Sequence, residues 1–131
     1  MARTIRYYRT ADDKQPARAF IESLDKKPKS VVELRLLKVE LGTFGDSKSV
    51  GSKVHELRID FGPGYRIYYS VVAKDTIVLL LAAGDKSSQA KDIKTAKENL
   101  ADYESRMFEL LNPENTEPKK KDKKNSKGQS R

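Results

Sequence analysis

The chain contains no cysteine, no tryptophan and a single histidine, His55. The first absence excludes a disulfide scaffold, thiolate zinc sites and a cysteine nucleophile. One histidine excludes a multi-histidine metal site and leaves a Ser-His-Asp triad little to build on. Long apolar runs are also missing, since none approaches the roughly 20 residues of a spanning helix. The opening stretch, Met1 to Tyr8, lacks the apolar core of a secretory signal, so a cytoplasmic protein is expected. Charge is abundant instead. Against 19 Asp and Glu stand 27 Lys and Arg, a formal +8 over 131 residues. That length suits one domain with a modest core, and the sign of the charge makes a polyanion the first partner to consider.

Half of the excess charge sits at the end of the chain. Residues 112–131 carry seven basic and three acidic residues, Pro113 and Pro118, and no aliphatic or aromatic side chain. Nothing there buries apolar surface to offset conformational entropy, so a disordered basic tail is expected after a domain at 1–111. Salt-sensitive attraction to RNA or DNA is one reading of the tail. A solubilising segment is the other.

Within the domain, Thr4 to Thr10 is rich in β-branched and aromatic residues and suits a strand. Asp12 and Asp13 offer capping chemistry before a short helix carrying Ala17, Phe20, Ile21 and Leu24. The break at Asp25 to Pro28 predicts a second helix from about Ser30 to Leu41, with Val31, Leu34, Leu37 and Leu41 on its buried stripe. Their short connection predicts an antiparallel two-helix hairpin. After Lys53 the apolar period drops to two. Leu57, Ile59 and Phe61 alternate with Glu56, Arg58 and Asp60; beyond the Gly62-Pro63-Gly64 turn, Tyr65, Ile67, Tyr69 and Val71 continue the apolar set. Only an odd loop length puts both apolar sets on one face. A three-residue loop pairs Phe61 with Tyr65 and Asp60 with Arg66, and it leaves Arg58, Asp60, Arg66 and Tyr68 on the opposite face. Ile77 to Leu81 is an apolar run without alternation, as expected of a strand covered on both faces. A last amphipathic helix from about Ser88 to Leu111 follows. The class is α+β: an N-terminal strand, a two-helix hairpin, a three-stranded antiparallel sheet and a C-terminal helix.

Two stretches carry a resemblance: Glu56-Leu57-Arg58-Ile59-Asp60-Phe61-Gly62-Pro63-Gly64-Tyr65-Arg66-Ile67-Tyr68-Tyr69, and Leu79 to Gln89 with its Gly84-Asp85-Lys86-Ser87-Ser88-Gln89 exit. Together they resemble the RelE/ParE toxin superfamily, and within it the HigB-like addiction module killer proteins, over roughly Ile5 to Leu100. The resemblance implies a toxin of a bacterial type II toxin–antitoxin module, neutralised by a helix-turn-helix antitoxin and meeting operator DNA only through it. RelE- and HigB-like members cleave mRNA, commonly on the ribosome, without metal or cofactor. ParE-like members instead inhibit DNA gyrase on the same fold, and a degraded homologue would only bind its antitoxin.

Metal-independent RNA cleavage needs a base for the 2′-hydroxyl, an acid for the leaving oxygen, and cations around the phosphorus. Arg66, directly after the Gly-Tyr turn, matches the phosphate-stabilising arginine of RelE-like toxins. Arg58 shares its face, and Lys86 at the strand exit matches another basic position. These three are the candidate catalytic residues. Tyr68, Tyr65 and Lys53 are the candidate substrate contacts, and the Tyr68 ring could stack on a base or its hydroxyl take part in proton transfer. The plainer readings are an Arg66–Asp60 surface ion pair, a solvated face for Arg58, and an ordinary sheet tyrosine at 68. His55, in phase with Leu57 and Ile59, reads as core or sheet edge. Where the toxins carry a tyrosine or a histidine cluster after the basic exit residue, this chain has Ser87-Ser88-Gln89-Ala90-Lys91-Asp92. No base or acid is assigned.

Overall fold

The computed structural model describes residues 2–113. They form β1 (Thr4–Tyr7), α1 (Pro16–Glu22), α2 (Lys26–Glu40), β2 (Ser47–Gly51), β3 (Val54–Ile59), β4 (Tyr65–Val72), β5 (Ile77–Asp85), a 3-10 turn (Lys86–Ser88) and α3 (Gln89–Leu111). Of the described residues, those up to Ala101 form one compact unit and those from Asp102 onward a second. In the second unit Arg106 pairs with Asp102 one helical turn away at 2.6 Å. Most of the expected basic tail lies outside the described residues. Among those described, no helix is long and apolar enough to cross a membrane.

One five-stranded mixed sheet, in the order β1-β5-β4-β3-β2, replaces the expected three-stranded antiparallel sheet with a separate first strand. β1 pairs parallel to β5, with Ile5 opposite Val78, and every other pairing is antiparallel. β2 is the strand that patterning misses. Its sequence, Ser47-Lys48-Ser49-Val50-Gly51, holds one large apolar residue and lies at the sheet edge, where little burial is required. Ser52 and Lys53 join it to β3 with both φ angles positive (55° and 66°), as a two-residue hairpin loop demands.

One face of the sheet packs on α1 and α2 through Leu57, Ile59, Ile67, Tyr69, Val78 and Leu80. The helices contribute Ala17, Ile21, Val32, Leu36 and Val39. This corrects the buried stripe of α2. Leu34, Leu37 and Leu41 are exposed at 54%, 50% and 68%. Because α2 carries apolar neighbours side by side, as at Val31-Val32 and Leu36-Leu37, the 3.6-residue period fits two faces and the sheet selects one. α2 also begins earlier than expected. Pro28 falls in the first turn, where N–H groups have no partner within the helix, so it breaks nothing. The first bond runs from the Lys29 N–H to the Asp25 carbonyl at 2.9 Å. Nor do α1 and α2 form a close hairpin, because α1 lies chiefly on β5. Asp12 and Asp13 cap no helix. Asp12 accepts from the Thr10 hydroxyl, Asp13 pairs with Arg9, and Gln15 stands at the helix start.

The β3–β4 hairpin has the expected facing and a different register. Ile59 pairs with Tyr65 and Arg58 with Arg66, so the loop spans residues 60–64 and partners shift by two positions. A shift of two preserves the face of every side chain. It does undo the Asp60–Arg66 pairing, since Asp60 lies in the loop and Arg66 stands opposite Arg58. The other sheet face is not solvated along its length. Glu56, Tyr68 and Ser70 are buried on it, as are Ala96 and Leu100 of α3, and the Asn99 amide donates to the Leu81 carbonyl at 2.8 Å. Gly84 lets α3 come this close. A Cβ there would sit 1.9 Å from Asp92 Oδ2.

Candidate functional site

At the loop end of the hairpin, Arg58, Arg66 and Lys86 surround a cavity of about 340 Å³, walled by Gly62 to Gly64 and edged by Asp46 and Asp60. Strand pleat explains two of the cations. Arg58 and Arg66 are directly opposed across the ladder, so they share a face. Lys86 arrives from elsewhere. It is the first residue beyond β5, and its backbone N–H donates to the Gly64 carbonyl at 2.9 Å, fastening the strand exit to the hairpin turn. Gly62 and Gly64 adopt φ of 56° and 87°, a region that favours glycine, and the Gly64 N–H closes the turn on the Phe61 carbonyl at 3.0 Å.

Each cation has a distinct electrostatic setting. Arg58 directs Nε and Nη2 at one oxygen of Asp46, at 3.2 and 2.8 Å. That hydrogen bond holds the Asp46 carboxyl below its ordinary range and raises Arg58 further. The segment bearing Asp46 is held from behind by Arg35, whose guanidinium donates to the carbonyls of Phe44, Asp46 and Arg58. Arg66 is mostly enclosed, at 14% side-chain exposure, and its Nε lies 3.8 Å from Glu56 Oε2. Glu56 is fully buried and accepts from the Tyr68 hydroxyl (3.0 Å) and the Gln89 amide (2.7 Å). Burial, then the bond to Glu56, pushes the Tyr68 phenol far above its ordinary value, so it remains a donor. Lys86 is exposed beside them. The result is a concave surface with three cations converging, two of them with a carboxylate at their back. Such a surface suits a phosphate, whose oxygens accept from an arginine fork in pairs.

No family model matches this chain. It is 46% identical over 71 residues to an uncharacterized protein of Haemophilus influenzae, a match covering 54% of this chain and 71% of that protein. The chain belongs to that protein's family. Among solved structures it is similar to a doubly substituted mutant of the E. coli toxin RelE in the free state, at TM-score 0.52 and 16% identity, over 72% of this chain and 97% of that one. It is also similar to the intact E. coli RelBE toxin–antitoxin complex, at TM-score 0.51 and 17% identity, over 64% and 96% respectively. At such identities the likeness establishes the fold, which is RelE-like.

On this RelE-like frame Arg58, Arg66 and Lys86 come together, whereas the three residues chosen as substrate contacts do not join them. Tyr65 is core, 8% exposed and edge-on to Phe20 at 6.2 Å between ring centroids. Tyr68 is completely buried, because the even face of the hairpin lies under α3 rather than in water, so its ring offers no stacking surface. Lys53 occupies the β2–β3 turn at the far end of β3 from the cavity, and its carbonyl accepts from the Ser70 hydroxyl. His55 is half-buried and stacks on Tyr69 with centroids 5.3 Å apart, at the sheet position its phase suggested. Patterning missed Glu56, Gln89, Asp46 and Arg35. Glu56 alternates with Arg58 and Asp60, the mark of a solvated face, and only the later helix reveals it as buried. Asp46 and Arg35 carry no local signal, because their role depends on a loop that packs beside β3.

Proposed function

We propose that this chain is the toxin of a type II toxin–antitoxin module and that the cavity binds an RNA phosphodiester for cleavage. The observation that carries the reading is the convergence of Arg58, Arg66 and Lys86 around one cavity on a RelE-like fold. When a 2′-hydroxyl attacks the adjacent phosphorus, negative charge accumulates on the non-bridging oxygens. Preorganised cations lower that barrier, and one well-placed donor in such a role is worth about 10²–10³ in rate. Arg66, enclosed and backed by Glu56, is the best organised of the three. Lys86 adds a mobile point charge from the strand exit, and Arg58 contributes once an anion competes with Asp46 for it. The HigB-like assignment rests on the paired sequence stretches. A protein antitoxin partner is supported by the similarity to the RelBE complex.

Inducible expression of wild type and Arg66→Ala in bacteria, with growth and mRNA 5′-ends followed together, tests the reading. Growth arrest with new mRNA ends, both lost in Arg66→Ala, is the expected outcome. Arrest without new ends would refute the nuclease and move the target to gyrase or another protein. Harmless expression would refute the toxin itself.

A further inference from the structure

Glu56 is buried behind Arg66 and takes no direct part in the chemistry above. Three donors converge on a single oxygen of its carboxylate: the Tyr68 hydroxyl, the Gln89 amide and, at the longer distance of 3.8 Å, Arg66 Nε. The other oxygen, Oε1, is buried and has no hydrogen-bond partner, and Arg66 Nε is buried without one as well. The two orphaned atoms are complementary, an acceptor and a donor on neighbouring side chains. A carboxylate in this position carries a heavy desolvation cost unless it balances a charge. The charge beside it is Arg66. Strand geometry makes the relation directional. Glu56 faces Tyr68 across the ladder and lies diagonal to Arg66, so it meets the Nε side of the guanidinium. The opposite side is turned toward the cavity, with Nη1 lying 4.0 Å from where a Cβ on the wall residue Gly64 would stand.

We propose that Glu56 is the positioning residue of Arg66: anchored by Tyr68 and Gln89, it holds the Nε side of the guanidinium so that the Nη side faces an RNA phosphate in the cavity. The proposal rests on the nuclease reading for its kinetic consequence and on geometry alone for the orientation. An amide is a poor substitute. Glutamine at 56 can keep its amide oxygen under the three donors, but it puts an unpaired NH₂ group in the buried place of Oε1 and removes the charge that holds Arg66 Nε at the longer distance of 3.8 Å. Positioning and simple electrostatics therefore predict different things for Glu56→Gln. Removing a negative charge beside a phosphate site strengthens anion attraction, so RNA binding is kept or tightened. Loss of orientation slows the chemical step, because misplacing a catalytic group by about 1 Å costs up to roughly a hundredfold.

The test uses the full chain. Its first readout is the Arg66 Nε–H signal in the ¹H–¹⁵N spectrum, assigned by its loss in Arg66→Lys and followed with and without inorganic phosphate. The second compares cleavage rate at saturating RNA with affinity for an uncleavable 2′-O-methyl RNA. The expected result is a protected Arg66 Nε–H in wild type that Glu56→Gln exposes to rapid exchange. Cleavage should fall at least about tenfold with RNA affinity unchanged or tighter. A signal unchanged by Glu56→Gln, or a loss of cleavage that merely follows weaker RNA binding, overturns the proposal. Should Glu56→Gln not fold, Tyr68→Phe and Gln89→Ala each remove one anchor of the carboxylate and must move both readouts in the same direction. If wild type cuts no RNA with or without ribosomes, the nuclease reading fails. The Arg66 signal then still decides whether Glu56 orients Arg66.

Discussion

Gly84→Ala is expected to destabilise the protein by a specific and reversible clash. Gly84 has no left-handed backbone to excuse it; its constraint is space alone. The added Cβ would lie 1.9 Å from Asp92 Oδ2, 3.0 Å from Asp92 Cγ and 2.7 Å from Ser88 Oγ. Unstrained contacts lie near 3.5 Å, so the Asp92 carboxylate must retreat by about 1.5 Å. Its retreat breaks the hydrogen bond it accepts from the Ser88 hydroxyl. A lost hydrogen bond to a charged group costs about 1.5–3 kcal/mol, and a displaced rotamer adds about 0.5–1.5 kcal/mol. The sum, about 2–4.5 kcal/mol, runs from within the usual range for overpacking to above it. For a domain of this size it lowers Tm by roughly 8–16 °C. Thermal and urea unfolding of Gly84→Ala, Asp92→Ala and the double variant form the assay. Without the carboxylate the new methyl has room and Ser88 Oγ is free to rotate. The second substitution should therefore recover about 1–3 kcal/mol relative to additivity. Gly84→Ala within about 0.5 kcal/mol of wild type, or an equal cost in the Asp92→Ala background, would refute the argument.

Other substitutions and conditions test neighbouring statements. Leu36→Ala should cost about 2–4 kcal/mol in urea unfolding, whereas Leu34→Ala on the exposed stripe of α2 should stay within about 0.5 kcal/mol, and the reverse order would restore the stripe first read from the sequence. Asp46→Asn frees Arg58 from its hydrogen-bonded partner, so affinity for a short RNA should rise and its salt dependence steepen, and weaker binding would mean that Asp46 serves to aim Arg58. Tyr68 and Tyr69 both have phenols raised by burial. Their hydroxyls ionise in the unfolded chain near the ordinary value of about 10 while remaining neutral in the fold. Stability is therefore full below that pH and falls as pH rises through it, with a shallower fall in Tyr68→Phe; an unchanged slope by denaturant titration would contradict the buried phenol.

Which features were legible in the sequence follows from what each one depends on. The convergence of Arg58 and Arg66 depends on strand parity, which alternation in Leu57 to Phe61 and Tyr65 to Val71 reveals without any knowledge of the partner. Register is a finer property, and the hairpin settles two positions from the simplest pairing because its loop runs from Asp60 to Gly64. The slip leaves the arginine face intact while changing the cross-strand partners on it, so Arg58 and Arg66 still share a face and the Asp60–Arg66 pairing is lost. The buried face of α2 lay beyond reach for a related reason. Two apolar stripes fit one helix, and the choice belongs to Leu57, Ile67 and Val78 of the sheet rather than to α2.

The polar face of the hairpin shows where local patterning loses its meaning. Charged residues at every second position ordinarily mean water, and on β3 that reading holds for Arg58 but fails two residues earlier at Glu56. The difference lies in α3, whose first turn is brought over the strand by Gly84 and places Gln89 on the carboxylate at 2.7 Å. A glycine in one strand, a glutamine at a helix start and a glutamate 33 residues away thus form one arrangement that no window of sequence contains. Its consequence falls on Arg66. In water an arginine samples many directions, and a phosphate must select one at an entropic cost. Enclosed at 14% exposure with a carboxylate on its Nε side, Arg66 has surrendered that freedom before any ligand arrives. Burial of a charged pair is a poor investment in stability, so its natural justification here is orientation.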